Sequence, residues 1–136
     1  MKKYDTFVVE MSSSVARVVQ DKINDLIAPT EFKVVFTNHF LDRLAGREAD
    51  VKPLELFDSF KKFFVKYNET LEKMDDHKEV AVILKDYAQK LNIPLEIKFD
   101  QSSRDGKVTV LGVTIMRKEP KAFKTNVSGG KEMDVK

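Results

Sequence analysis

Residues 68–91 read NETLEKMDDHKEVAVILKDYAQKL, and their secondary structure decides the fold. They fit one long helix, or a helix end followed by a strand at VAVILKD, residues 80–86. The strand reading is the stronger. The run is compact and apolar, and Val80, Val82 and Ile83 are β-branched, which suits a buried strand. Downstream the pattern stays extended: LNIPLEIKFD (91–100) alternates, SSRDG (102–106) has turn composition, and KVTVLGVTIMRK (107–118) alternates again. That combination predicts an antiparallel hairpin. FKTNV (123–127) fits a last edge strand, and SGGKEMDVK (128–136) a tail or a loosely attached strand.

Upstream the period changes. In SSSVARVVQDKINDLIAP (12–29) the serines supply a cap and Val15, Val18, Val19, Ile23, Leu26 and Ile27 form a helical apolar stripe that Pro29 ends. EFKVVF (31–36) is a short strand or an extended entry, as is YDTFVVEM (4–11). Thr37 and Asn38 cap HFLDRLAGRE, a helix with Phe40, Leu41 and Leu44 facing inward and Gly46 weakening its end. Pro53 opens a further helix, where Leu54, Phe57, Phe60 (or Lys61) and Phe64 mark the buried face. Helices first and an antiparallel sheet afterwards is the α+β pattern. The expected organisation is a single domain over 1–127 and a C-terminal tail or edge segment over 128–136.

Composition bounds the function. The chain has 136 residues, 42% of them hydrophobic and 34% charged, which fits one folded domain. Ten phenylalanines and no tryptophan predict a phenylalanine-built core, and the absence of cysteine excludes disulfides and thiolate metal sites. The apolar stretch of MKKYDTFVVEM is too short for a signal-peptide core or a membrane span, so a soluble, cytoplasmic protein is expected. Net charge is only +2, but its distribution is uneven. Residues 69–86 carry six acids and three lysines; residues 104–124 carry six bases and two acids. The basic region can form a local anion-binding surface.

One of the two histidines, His39, precedes Arg43 and Arg47 at i, i+4 and i+8, which on a helix is a single stripe. Metal-free RNA cleavage needs a base for the ribose 2′-proton, positive charge on the phosphorane, and an acid for the leaving oxygen. Imidazole and guanidinium are suited to these tasks. His39 also stands at a helix N-terminus, which favours anions and disfavours an imidazolium. Arg43 has competing partners in Glu48 and Asp42. MRKEPKAFKT adds Arg117, Lys118, Lys121 and Lys124 interleaved with Phe123, a composition suited to phosphates and a splayed base. It equally suits edge-strand protection around a core phenylalanine. Asp75, Asp76 and His77 are adjacent and converge poorly on a metal ion; no metal site is expected.

FKVVFTNHFLDRLAGRE followed by ELFDSFKKFF resembles the RegB-type phage endoribonucleases, with a His-x-x-x-Arg helix, an Arg-Glu continuation and a further helix. It is also similar to the wider RelE and BrnT group of small ribonuclease folds. The resemblance covers residues 13–125, and its specific part is 36–57. It implies N-terminal helices packed on a four-stranded antiparallel sheet, and a metal-independent, cofactor-free endoribonuclease. Such an enzyme cuts single-stranded messenger RNA to a cyclic phosphate in the host cytoplasm, with a host translation or ribosomal protein as a further partner. By this resemblance His39 is the general base or acid and Arg43 holds the scissile phosphate, while Arg47 and Glu48 close the motif. The family's second histidine falls on Phe63, so the acid step passes to Arg117, Lys118 or Lys124. The rival reading is a non-catalytic protein of the same fold that binds RNA or a host protein.

Overall fold

The computed structural model describes residues 11–74, 78–102, 106–122 and 131–136. Helix α1 (Ser13–Leu26) begins at Ser12, whose hydroxyl accepts the Val15 amide at 3.2 Å. After it come strand β1 (Phe32–Phe36), helix α2 (Asn38–Ala45) and the 20-residue helix α3 (Pro53–Glu72). The chain then turns to sheet: β2 (Glu79–Asp86), β3 (Leu91–Ser102), β4 (Val108–Gly112), the two-residue β5 (Met116–Arg117) and β6 (Lys131–Val135). Residues 80–86 are thus strand, and the architecture is α+β. No helix among the described residues is long and apolar enough to cross a membrane.

The sheet is larger and less uniform than four antiparallel strands. Among the described residues it has six strands, in the order β1-β4-β3-β2-β6, with β5 also on β3. The β2–β3, β3–β4 and β3–β5 pairs are antiparallel, whereas β1 runs parallel to β4 and β6 parallel to β2. Each parallel partner is distant in sequence, so no hairpin turn announces it. The second hairpin strand is interrupted rather than continuous. Leu95 faces Gly112 and Asn92 faces Met116, so residues 113–115 take three positions where β3 uses two. This is a bulge. It lies opposite Pro94, which has no amide hydrogen for a central strand, while the Pro94 carbonyl accepts from Val113 at 3.0 Å. Lys131–Val135, at the C-terminal end, is an edge strand with Met133 and Val135 buried.

One sheet face meets the helices. Phe32, Val34 and Phe36 of β1 alternate inward, and Phe40, Leu41 and Leu44 of α2 are buried against them as their spacing predicts. The core is phenylalanine-rich: Phe36 stacks on Phe40 at 4.3 Å between ring centroids and lies 5.7 Å from Phe60, and Phe63 meets Phe64 edge-on. Gly112 lies beneath the stack. A Cβ there would stand 3.0 Å from Phe36 and 3.3 Å from Phe40. Gly112→Ala is therefore expected to cost about 1 kcal/mol through overpacking, read as a lower urea midpoint at unchanged m-value.

Two helix faces are rotated from expectation. α1 buries Ala16, Val19 and Ile23, leaving Val18 52% and Leu26 41% exposed. α3 buries Leu56, Ser59, Phe60, Phe63 and Phe64, leaving Leu54 77% exposed. Each helix carries more apolar residues than its core-facing arc can take, and the surplus lies at the surface.

Candidate nucleic-acid interface

Thr37 sets the start of α2. Its hydroxyl accepts the Phe40 amide at 3.1 Å and donates to the Val113 carbonyl at 3.0 Å, and its own amide donates to Gly112 at 3.0 Å. The helix therefore springs from the end of β4. His39, in its first turn, is exposed, and among the described residues it has no hydrogen-bond partner. Nothing there fixes the ring's orientation, which a general base requires.

Arg43, one turn on, is not a free cation. Its Nε donates to the Ile115 carbonyl at 2.9 Å and its Nη2 lies 3.6 Å from Glu48, with 18% of the side chain exposed. Of the two acids near it in sequence, Glu48 is the partner. The helix stops at Ala45, and the chain folds back so that the Glu48 amide donates to the Arg43 carbonyl at 2.7 Å. That stop also corrects the stripe. Arg47 lies beyond the helix, so the i, i+4, i+8 alignment ends at Arg43. Arg47 is exposed and has no ion-pair partner among the described residues.

Glu48 is itself nearly buried, at 8% exposure, and its carboxylate accepts from the Arg117 amide at 3.3 Å. The Arg117 guanidinium is held on three sides. Nη2 donates to Glu55 at 2.6 Å, Nη1 to the Gln89 carbonyl at 3.1 Å, and Nε lies 3.3 Å from Asp50. The same Glu55 oxygen accepts the Lys52 amide at 2.9 Å, so one carboxylate caps α3 and anchors β5. Arg43, Glu48, Arg117, Glu55 and Asp50 form a continuous network that locks the turn after α2 to β5. Three carboxylates surround two guanidiniums, so neither arginine is available to a phosphate without breaking an existing contact.

The structure thus brings the His39–Arg43 helix against the basic end of the hairpin, through Ile115 and Arg117, but spends both internal arginines on structure. Lys118 and Lys121 follow on the surface, Lys121 in a short 3-10 turn at Pro120–Ala122. Phe123, Lys124, His77, Asp75 and Asp76, and the strands expected at 4–11 and 123–127, lie outside the described residues (of the former only Met11 is described, and it is buried). Phe63, aligned with the family's second histidine, is 0% exposed and packs on Phe64 and Tyr67. That position faces the core and presents nothing to solvent. Among the described residues no group of three or more histidine or acidic side chains is placed to hold a metal ion.

Glu55 and Asp50 were not singled out by sequence reasoning. The available signal was Glu55 three positions after Lys52 at a proline-opened helix, the spacing of a reciprocal cap. No family model, curated protein or solved structure matches the chain.

Proposed function

We propose that the protein binds single-stranded RNA through the surface formed by α2, the turn after it and β5, as a non-catalytic module. The carrying observation is the 2.9 Å bond from Arg43 to the Ile115 carbonyl. It joins the helix that resembles the RegB-type ribonucleases to the basic end of the hairpin. Arg47, Lys118 and Lys121 supply cations at the surface, and the partly buried Arg43 and Arg117 hold the segments that carry them. Binding fits better than cleavage, because a phosphorane needs uncommitted positive charge beside an oriented base. Here Arg43 and Arg117 are paired with carboxylates and the imidazole is unsupported.

The endoribonuclease reading retains one favourable observation: His39 is exposed in the first turn of α2, where a bound phosphate has access to it. One experiment separates the two. Labelled single-stranded RNA is incubated with the protein in EDTA, and retention is measured across a salt series. The binder predicts intact RNA and an affinity that falls linearly on a log–log salt plot. Arg47→Ala and Lys121→Ala are each expected to reduce that slope by about 0.7. Discrete cuts that disappear in His39→Ala would establish the enzyme instead. No retention even at low salt would remove RNA from both readings.

A further inference from the structure

We infer that two copies of the chain dock through an apolar cleft between α1 and the first turns of α3, with Lys22 of each protomer opposite Asp25 of the other. The cleft measures about 840 Å³ and lies where the two rotated helix faces leave their surplus apolar residues. Among the described residues four large hydrophobic side chains are exposed, and three of them, Val18, Leu26 and Leu54, line this one cleft. Phe57, half-buried, also lines it. Scattered exposed hydrophobics are ordinary; a cluster of them around a concavity marks an interaction surface.

The charges on the cleft indicate the occupant. Lys22 and Asp25 both line it, and neither side chain makes an ion pair or hydrogen bond with any described residue. One cation and one anion on a common patch give no preference for a polyanion such as RNA, nor for an anionic membrane surface, which Asp25 would oppose. They are self-complementary. A two-fold axis over the cleft brings each lysine to the other copy's aspartate, making two equivalent pairs from one sequence. Shape follows the same logic. The patch supplies both the concavity and the projecting side chains, Leu54 above all, that would fill it in a partner. Because the cleft is smaller than a standard interface of twenty or more residues a side, the expected dimer is reversible and concentration-dependent. No residue lining the cleft belongs to the Arg43–Glu48–Arg117 network, and the inference does not depend on RNA binding.

The test is sedimentation velocity on the full chain from low to high micromolar concentration. The wild type is expected to pass from monomer to dimer. Leu54→Glu is expected to raise the dimer dissociation constant at least about tenfold. Leu54 is exposed and stands in the first turn of a helix, where glutamate is favourable, so unchanged thermal unfolding would show that the fold is intact. Lys22→Asp and Asp25→Lys should each weaken the dimer, and the double swap should restore it. A monomer at every concentration overturns the inference and leaves the cleft to a different protein or an apolar ligand. A dimer indifferent to Leu54→Glu places the interface elsewhere, and a double swap that fails to rescue overturns the two-fold pairing.

Discussion

Asp86→Ala is expected to lower the stability of the fold by about 3 kcal/mol, through loss of a buried carboxylate that organises the crossing of α3 over β2. Asp86 is 0% exposed at the end of β2. It accepts hydrogen bonds from the Ser59 hydroxyl at 2.6 Å, Lys62 Nζ at 2.8 Å, the Gln89 amide at 3.0 Å and Gln89 Nε2 at 3.0 Å. Ser59 is also fully buried, so its hydroxyl loses a strong acceptor with no water to replace it. Lys62 is less constrained: about a quarter of its side chain is exposed and Asp58 lies 3.5 Å away, so it can turn to solvent. That escape keeps the expected loss at the lower end for a broken buried pair.

The same carboxylate sets an acid limit. Burial pushes its pKa up, but the hydrogen bonds from Lys62, Ser59 and Gln89 outweigh burial and hold it below the usual aspartate range. The unfolded chain therefore binds the proton first as pH falls. The Asp86 contribution is complete above the unfolded pKa and is lost as pH drops through the folded one, in a window below about pH 4. Urea midpoints measured from neutral pH downward should fall in this window for the wild type and less steeply for Asp86→Asn. Equal midpoints for wild type and Asp86→Ala at neutral pH would show that the network satisfies its polar groups without stabilising the fold.

What the sequence makes legible follows the range of the interaction. Val80–Asp86 is readable as strand because β-branching in a compact apolar run acts within a few residues, and α2 is readable because Phe40, Leu41 and Leu44 share one face. The β1–β4 and β2–β6 pairings are not readable, because parallel partners far apart in sequence leave no local sign. Lys131–Val135 offers only Met133 and Val135 as apolar positions, too few to distinguish an edge strand from a tail. The buried arc of α1 is ambiguous because its apolar stripe is wider than the surface it covers, so Val18 and Val19 are equivalent in pattern and opposite in exposure. At the candidate site, periodicity identifies His39 and Arg43 as neighbours. Where Arg43 points depends on the fold-back that delivers Glu48 and on a carbonyl 72 residues away, Ile115. A basic side chain looks the same in sequence whether it faces a ligand or anchors a turn.

The ends of the sheet give the second large expectation. Among the described residues β1 is an outer strand, and side chains of α1 bond the backbone groups along its outer edge. Asn24 acts as a surrogate neighbour: its Nδ2 donates to the Val34 carbonyl at 2.9 Å and its Oδ1 accepts the Val34 amide at 2.7 Å. Gln20 accepts the Phe36 amide at 2.7 Å, one turn earlier on the helix. At the opposite edge, Tyr67 and Lys66 of α3 both donate to the Asp134 carbonyl, at 2.8 and 2.9 Å. Helix side chains thus occupy backbone groups on both outer strands, a way of blocking edge-to-edge pairing that needs no proline or bulge. Asn24→Ala leaves an amide and a carbonyl of β1 without partners at a partly buried site, and is expected to cost about 2–3 kcal/mol. Asn24→Asp keeps the acceptor for the Val34 amide but sets a carboxylate against the Val34 carbonyl, so a loss of similar size is expected. Tyr67→Phe, which removes one of two donors, should cost only about 1 kcal/mol. The exposed edge should also be visible below the unfolding midpoint, as concentration-dependent light scattering in Asn24→Ala that Tyr67→Phe does not show. A destabilised but non-scattering Asn24→Ala would mean that α1 still shields the strand sterically, and that the hydrogen bonds stabilise the edge without protecting it.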